Sequence, residues 1–309
     1  MTLSNASRKA PFLSGVFLIT FSLLIFQILQ TRILSVLAWY YLAFFAISVA
    51  MLGMTVGAVW VYIQRERFES APLPVTLSKF ALLTAVGMPA SVIVQFCLIT
   101  SAALSLTTVI SWSLLLAAMA VPYVFSGVVV SMALTRSPFP TGQVYGVDLL
   151  GAALGCVAVI GILNVVDAPT AVIVAGAISG VSALAFAASA SAEDQLLLKS
   201  KSWWRRPVPV VLALLLLAAI NSLSSFGFRP ILVKDEVEMS PGAYEKWNSY
   251  SRVRANLPET KIPNLWGPSP KLPADTRVRL ARMDIDGLAG TAMFHYDGTL
   301  DSIAFFRYD

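Results

Sequence analysis

Seven long apolar runs constrain this chain more than anything else in it. They occupy 12–34, 37–63, 77–99, 104–134, 144–166, 168–190 and 208–223. A helix that crosses a bilayer needs about 20 mostly apolar residues. In hydrocarbon every backbone amide and carbonyl must be satisfied inside the protein, so the runs are read as helices. The fourth is long and holds Pro122, which asks for a kink or a tilt. The last is short unless it begins nearer Trp203. Charged residues are 13% of the 309, and hydrophobic residues are 57%. A soluble domain carries about 25% charged residues, so the partner these runs imply is the lipid bilayer.

Charge then gives the runs a direction. Arg8 and Lys9 precede the first run, Arg65 and Arg67 follow the second, and Arg136 follows the fourth. Lys199, Lys201, Arg205 and Arg206 follow the sixth. The alternate loops are almost free of Lys and Arg, Arg32 being the exception. Loops rich in Lys and Arg stay in the cytoplasm. This pattern predicts a cytoplasmic N-terminus in a bacterial-type inner membrane and, after seven crossings, a periplasmic tail. The first run is too long for a cleaved signal, and no small-x-small site follows it.

The net charge of +5 arises within 1–225, which hold 11 basic and 6 acidic residues, whereas 226–309 hold 11 of each. It belongs to loops rather than to one basic face, so nucleic acid is not expected as a partner. Cys97 and Cys156 lie in apolar runs, no CxxC occurs, and His295 is the one histidine. These argue against a disulfide framework or a metal site, and no cofactor is expected. An intramembrane enzyme would show HExxH, a Ser/Lys pair or paired aspartates within the runs; none is found, and no catalytic residue is assigned.

Two polar groups interrupt the apolar runs. Asp148 sits in "VYGVDLLGAALGCVAVIG", 144–161, near the start of the fifth run. It either helps start the helix, where the positive end of the helix dipole favours a carboxylate, or meets a buried partner, Arg136 or Tyr145. A proton or ion relay is a third reading. Arg32 is placed too near the opposite end to reach it. The second group is Gln27, Gln30 and Arg32, with Gln27 and Gln30 on one helix face. Amides in lipid bond across helices, and these residues are read as structural glue or as the lining of a small-molecule path. In the same fifth run, Gly151, Ala152 and Gly155 form a flat groove for close helix packing, which Gly161 extends. The groove serves either the bundle or the seam of a homo-oligomer.

From Phe226 the chain turns polar. Residues 257–275 hold five prolines and are read as part of a linker and covering segment, 226–275. Beyond it, alternation and two Asp-Gly turn signals predict a three-stranded meander at about 276–285, 290–296 and 302–308. The expected fold is thus mainly α: a polytopic bundle of about seven transmembrane helices over 1–225 with a small C-terminal β-meander over 276–309.

The stretch "FQILQTRILSVLAWYYLAFFAISVAMLGMTVGAVWVY" resembles the first two helices of the membrane-bound spermidine synthase-like proteins. "VYGVDLLGAALGCVAVIG" resembles their fifth-helix motif, an aromatic followed by Asp-Leu and Gly-Ala-x-x-Gly. "YEKWNSYSRVRA" is similar to their Trp-Asn-x-x-Ser-Arg-Val stretch, and "DIDGLAGTAMF" to the small sheet that opens the aminopropyltransferase fold. The resemblance implies a Rossmann-like domain after that sheet, where a Gly-rich turn and acidic residues bind decarboxylated S-adenosylmethionine. No strand followed by a GxGxxG-like turn and helix occurs here. The expectation is therefore the membrane anchor region of such a protein, not catalytic by itself. A free-standing transport or scaffold protein is the alternative. In soluble spermidine synthases the sheet usually reads Leu-Asp-Gly-x-x-Gln, the glutamine holding the polyamine; Asp286 and Gly287 match, and Gly290 stands at the glutamine position.

Overall fold

The computed structural model describes residues 2–98, 105–194, 206–224, 227–234, 236–238, 244–287 and 289–309. Lys199, Lys201, Trp203 and Arg205 lie outside the described residues. The apolar runs are helices: α1 (Thr2–Leu37), α2 (Ala43–Ile63), α4 (Leu73–Cys97), α5 (Leu106–Arg136), α6 (Thr141–Val165) and α7 (Ala168–Ala188). These six are long and apolar enough to cross a membrane. A short helix, α3 (Arg65–Glu69), follows α2, and a seventh apolar helix, α8 (Pro207–Leu223), precedes the tail. At 17 residues α8 is about 25 Å long, slightly under the ~30 Å hydrocarbon core. The expected seven crossings are thus six long helices and one shorter one. Helix α5 runs through Pro122 as a single element.

Lipid tails are as apolar as leucine, so helices in a bilayer gain little from hiding apolar surface and depend on close backbone approach. Glycines four apart supply that approach three times. A Cβ added at Gly151 would lie 2.5 Å from the carbonyl oxygen of Phe17 and from Thr20 Oγ1, and one at Gly155 would lie 2.6 Å from the Phe21 carbonyl oxygen. This seats α6 directly on α1. Gly53 and Gly57 of α2 do the same on α5: a Cβ added at Gly53 would lie 2.6 Å from Tyr123 Cβ, and one at Gly57 would run into the Val124 carbonyl. A Cβ added at Gly176 of α7 would lie 2.5 Å from the Ala85 carbonyl oxygen of α4, and one at Gly180 would lie 2.6 Å from a Val211 methyl of α8. Hydroxyls complete the α4–α7 contact: Ser78 donates to Ala183 O at 2.8 Å and Ser179 to Ala81 O at 2.9 Å.

The resulting bundle has α1, α7, α4 and α5 inside, α2 closing the gap between α5 and α1, α6 outside α1 and α8 outside α7. The core runs through Phe26, Leu29 and Ile33 of α1, Met88 and Val92 of α4, and Tyr123 of α5.

The groove expected at Gly151, Ala152 and Gly155 is filled by α1 of the same chain, so that face is not open as a dimer seam. Gly161 does not extend it: a Cβ there would meet nothing within 4 Å.

The tail sits at the end of the bundle where α1 finishes. A two-residue pair, β1 (Leu232–Val233) and β2 (Glu236–Val237), comes first. An antiparallel sheet follows: β3 (Tyr244–Trp247), β4 (Arg252–Ala255), β5 (Glu259–Lys261), β6 (Val278–Ile285) and β7 (Ala289–Phe294). Strand β6 is central, pairing with β4, β5 and β7. Two expectations need correction. The segment assigned to a linker, 226–275, contains all of β1 to β5, and the expected third strand at 302–308 is a 3-10 helix, Asp301–Tyr308. Phe305 and Phe306 both meet the Phe294 ring, at centroid distances of 4.9 and 5.1 Å. Successive residues of a strand point to opposite faces. Two neighbouring rings reach one partner only from a helical backbone.

Candidate functional site

The sequence elements that resemble a family motif resolve into a junction between bundle and sheet. In "WNSYSRV" the hairpin from β3 to β4 is held by Asn248, whose Oδ1 accepts from Tyr250 N at 2.9 Å and Ser251 N at 2.6 Å, an Asx-type turn. Register pairs Trp247 with Arg252 across it. Arg252 is 2% exposed and is enclosed by two carboxylates: Nη2 to Glu238 Oε2 at 2.7 Å, and Nε to Glu245 Oε1 at 3.0 Å. The Trp247 indole donates to the same Glu245 oxygen at 2.9 Å. Burial, the largest single influence, would raise the carboxyl of Glu245, but the hydrogen bonds from Arg252 and Trp247 and the charges of Arg252 and Arg229 together hold that group below its ordinary range.

The first Asp-Gly stretch turns β6 into β7, with Ile285 paired to Ala289 and both Asp286 and Gly287 at positive φ, 51° and 81°. Asp and Gly tolerate that left-handed backbone. It leaves the Asp286 carboxylate free to reach outward. Its Oδ1 accepts from Arg252 N at 2.8 Å, and its Oδ2 lies 3.5 Å from Arg32 Nη2 of α1. Lys234 closes the group: its N donates to Leu37 O at 2.9 Å, and its Nζ donates to Asp286 O at 2.5 Å. Burial lowers the ammonium of Lys234 below its usual range, Asp286 opposes that shift, and Arg32 adds to it. A second clasp lies nearby. Asp167 caps α7, accepting from Thr170 N at 2.8 Å, and pairs with Arg229 of the tail at 3.1 Å.

Of the residues singled out from sequence, Arg32 therefore serves the tail. Gln30 and Gln95 are buried in the bundle, where Gln30 Nε2 and Oε1, Gln95 Oε1 and Tyr123 Oη have no hydrogen-bond partner among the described residues. Gln27 is half-buried. Asp148 stands apart, with its backbone carbonyl accepting from Thr20 Oγ1 at 3.1 Å. Thr20 is 12 residues before Arg32, or about 18 Å along the helix, so the structure does not join Asp148 to that group. Neither expected partner meets it: Arg136 donates to the carbonyls of Phe68 and Glu69, and Tyr145 is exposed. Asp148 Oδ1 is buried without a partner among the described residues.

Gly290, at the glutamine position, is explained by its neighbours. A Cβ there would lie 2.8 Å from Asp284 Oδ1, which holds Arg282 Nε at 2.9 Å. Sequence reasoning missed Asp286, Lys234, Arg252, Arg229 and Asp167 as junction residues. The signal present was their chemistry: charged residues at tight turns or beside apolar runs. No group of three or more His, Cys, Asp or Glu suited to a metal occurs among the described residues.

No protein-family model matches the sequence, and comparison with curated proteins and with solved structures likewise finds no match.

Proposed function

We propose that this chain is a membrane-anchoring unit, an apolar bundle that holds a small β-sheet in a fixed attitude at one bilayer face, as in membrane-bound spermidine synthase-like proteins. The observation that supports this reading is the pair of ionic clasps, Arg32–Asp286 at 3.5 Å and Asp167–Arg229 at 3.1 Å. A tail that merely trailed from α8 would need neither. In this reading the N-terminus is cytoplasmic, the bundle lies in a bacterial inner membrane and the tail is periplasmic. Arg65, Arg67 and Arg136 at one end of the bundle, with the tail at the other, support that direction. In this reading the chain by itself neither binds decarboxylated S-adenosylmethionine nor converts putrescine to spermidine; where the resemblance places a polyamine-holding glutamine, Gly290 lies against the Asp284–Arg282 pair.

The anchor reading is tested by distance measurement between spin labels. With Cys97 and Cys156 replaced by Ser, labels go on Val165→Cys, at the end of α6, and Trp266→Cys, which is 99% exposed. One narrow distance distribution is expected in nanodiscs, and it should broaden when Asp286→Asn and Arg229→Gln are combined. A broad distribution in the parent protein overturns the reading. A periplasm-active reporter fused after Ala255 should be active, and activity of a cytoplasm-only reporter there overturns the direction.

The buried Gln30 amide and Gln95 Oε1, which have no hydrogen-bond partner among the described residues, favour a second reading, a polar path through the bundle. Solute flux in proteoliposomes that Gln30→Leu abolishes would favour it over the anchor.

A further inference from the structure

At the end of the bundle where α3 lies, α2, α3, α4 and α5 enclose a groove of ≈ 420 Å³. Its walls are aromatic and apolar: Trp60, Phe80, Leu83 and Phe125. Arg67 of α3 and Lys79 of α4 stand on its rim, and none of the residues lining it is acidic. Glu69 of α3 lines the neighbouring groove instead, where it holds Arg65 at 2.5 Å. Arg67 Nη1 donates to the neutral Gln64 Oε1 at 3.0 Å, and Lys79 Nζ lies 5.5 Å above the Phe80 ring. The N-terminus of α4 opens on the same rim, with Pro72 as its cap, and adds the positive end of a 25-residue helix dipole.

We infer that this groove binds an anionic phospholipid, its phosphate between Arg67 and Lys79 and an acyl chain along Trp60, Phe125 and Leu83. Basic pockets between transmembrane helices recognise anionic headgroups in this way. A zwitterionic lipid would bring its own cation against Arg67 and Lys79. A soluble anion would leave the aromatic trough unused. The neighbouring groove, ≈ 340 Å³ on the other side of Phe68, has Arg65 and Arg136 in its wall but also Glu69. Its arginines are already engaged, by Glu69 and by the Phe68 and Glu69 carbonyls. It is therefore a built-in comparison.

The full chain in neutral detergent is titrated with phosphatidylglycerol and, separately, with phosphatidylcholine. Retention is read by native mass spectrometry and stabilisation by the melting midpoint. Phosphatidylglycerol should bind more tightly and raise the midpoint more. Arg67→Gln with Lys79→Gln should weaken it about tenfold, leaving phosphatidylcholine unchanged. Both side chains are exposed, so the fold should survive. Leu83→Trp should weaken it with the cations intact, and Arg65→Gln should leave it within about twofold. Equal retention of the two lipids, wild-type affinity in the double variant, or the same stabilisation by sn-glycerol 3-phosphate overturns the site.

Discussion

Arg32, near the end of α1, and Asp286, in the turn between β6 and β7, face each other at 3.5 Å with side chains 15% and 19% exposed. The pair joins a membrane helix to a sheet strand, and the same carboxylate fixes the backbone of Arg252 at 2.8 Å. Asp286→Asn keeps a residue that tolerates positive φ, so it removes charge without breaking the turn. Removing one partner of a largely buried pair strands the other charge. We expect Arg32→Gln and Asp286→Asn each to destabilise sheet docking by about 2 kcal/mol. Protease cleavage of the tail should quicken while membrane insertion is unchanged. Unaltered cleavage in both variants would contradict the clasp.

Arg252 offers a sharper case, because two carboxylates depend on it. Arg252→Lys keeps the charge but not the forked donor geometry, so it should recover only part of the stability lost in Arg252→Met. The loss in the Met variant should approach about 3–5 kcal/mol. Amide exchange across β3 and β4 is the measurement, and equal protection in wild type and Met variant would refute it.

Acid should loosen the same region. The Glu245 carboxyl is held below its ordinary value in the folded state. Between the two values the unfolded tail binds more protons, so stability rises with pH there and is fully present above the unfolded value. It is lost as pH falls through the depressed folded value. The window therefore lies below about 4.5, the unperturbed value for this group. Exchange in β3 and β4 should accelerate there in wild type, and less so in Glu245→Gln. A Glu245→Gln protein with the full acid response would assign the effect to another group.

The α1–α6 contact can be probed with substitutions matched in size. Gly151→Leu and Gly155→Leu drive a side chain into the α1 backbone, and overpacking usually costs about 1–3 kcal/mol. Gly161→Leu is the control, since a Cβ there meets open space. The melting midpoint in detergent should fall for the first two alone. Three equal midpoints would rule out the groove.

The helices were legible because each apolar run carries its own signal, whatever surrounds it. The Gly151/Gly155 step was legible for the same reason. The equivalent steps at Gly53/Gly57 and Gly176/Gly180 have the same spacing but no charged residue beside them. Strands β3 to β5 were obscured because prolines from Leu257 onward suggested a linker, although "YEKW" and "RVRA" are short strands held by one Asn turn. The 302–308 segment has strand-like composition, yet two adjacent phenylalanines gain more by sharing Phe294. Partners were not legible at all. Arg136 and Asp148 have opposite charges and are close in sequence, but Arg136 is engaged by carbonyls at the end of α3. Arg32 and Asp286 are far apart in sequence, and only the three-dimensional path of the chain brings them together.

Thr20 on α1 is bonded to the Asp148 carbonyl, 128 residues further along the chain. A ribosome working at about 5–20 residues per second needs roughly 6–26 s to make that stretch. During that interval the face of the first helix that will receive α6 has no mate. The order of synthesis thus sets a waiting period, during which this surface must be shielded by lipid or by the insertion machinery. A slower ribosome lengthens the wait without altering a single contact of the finished molecule.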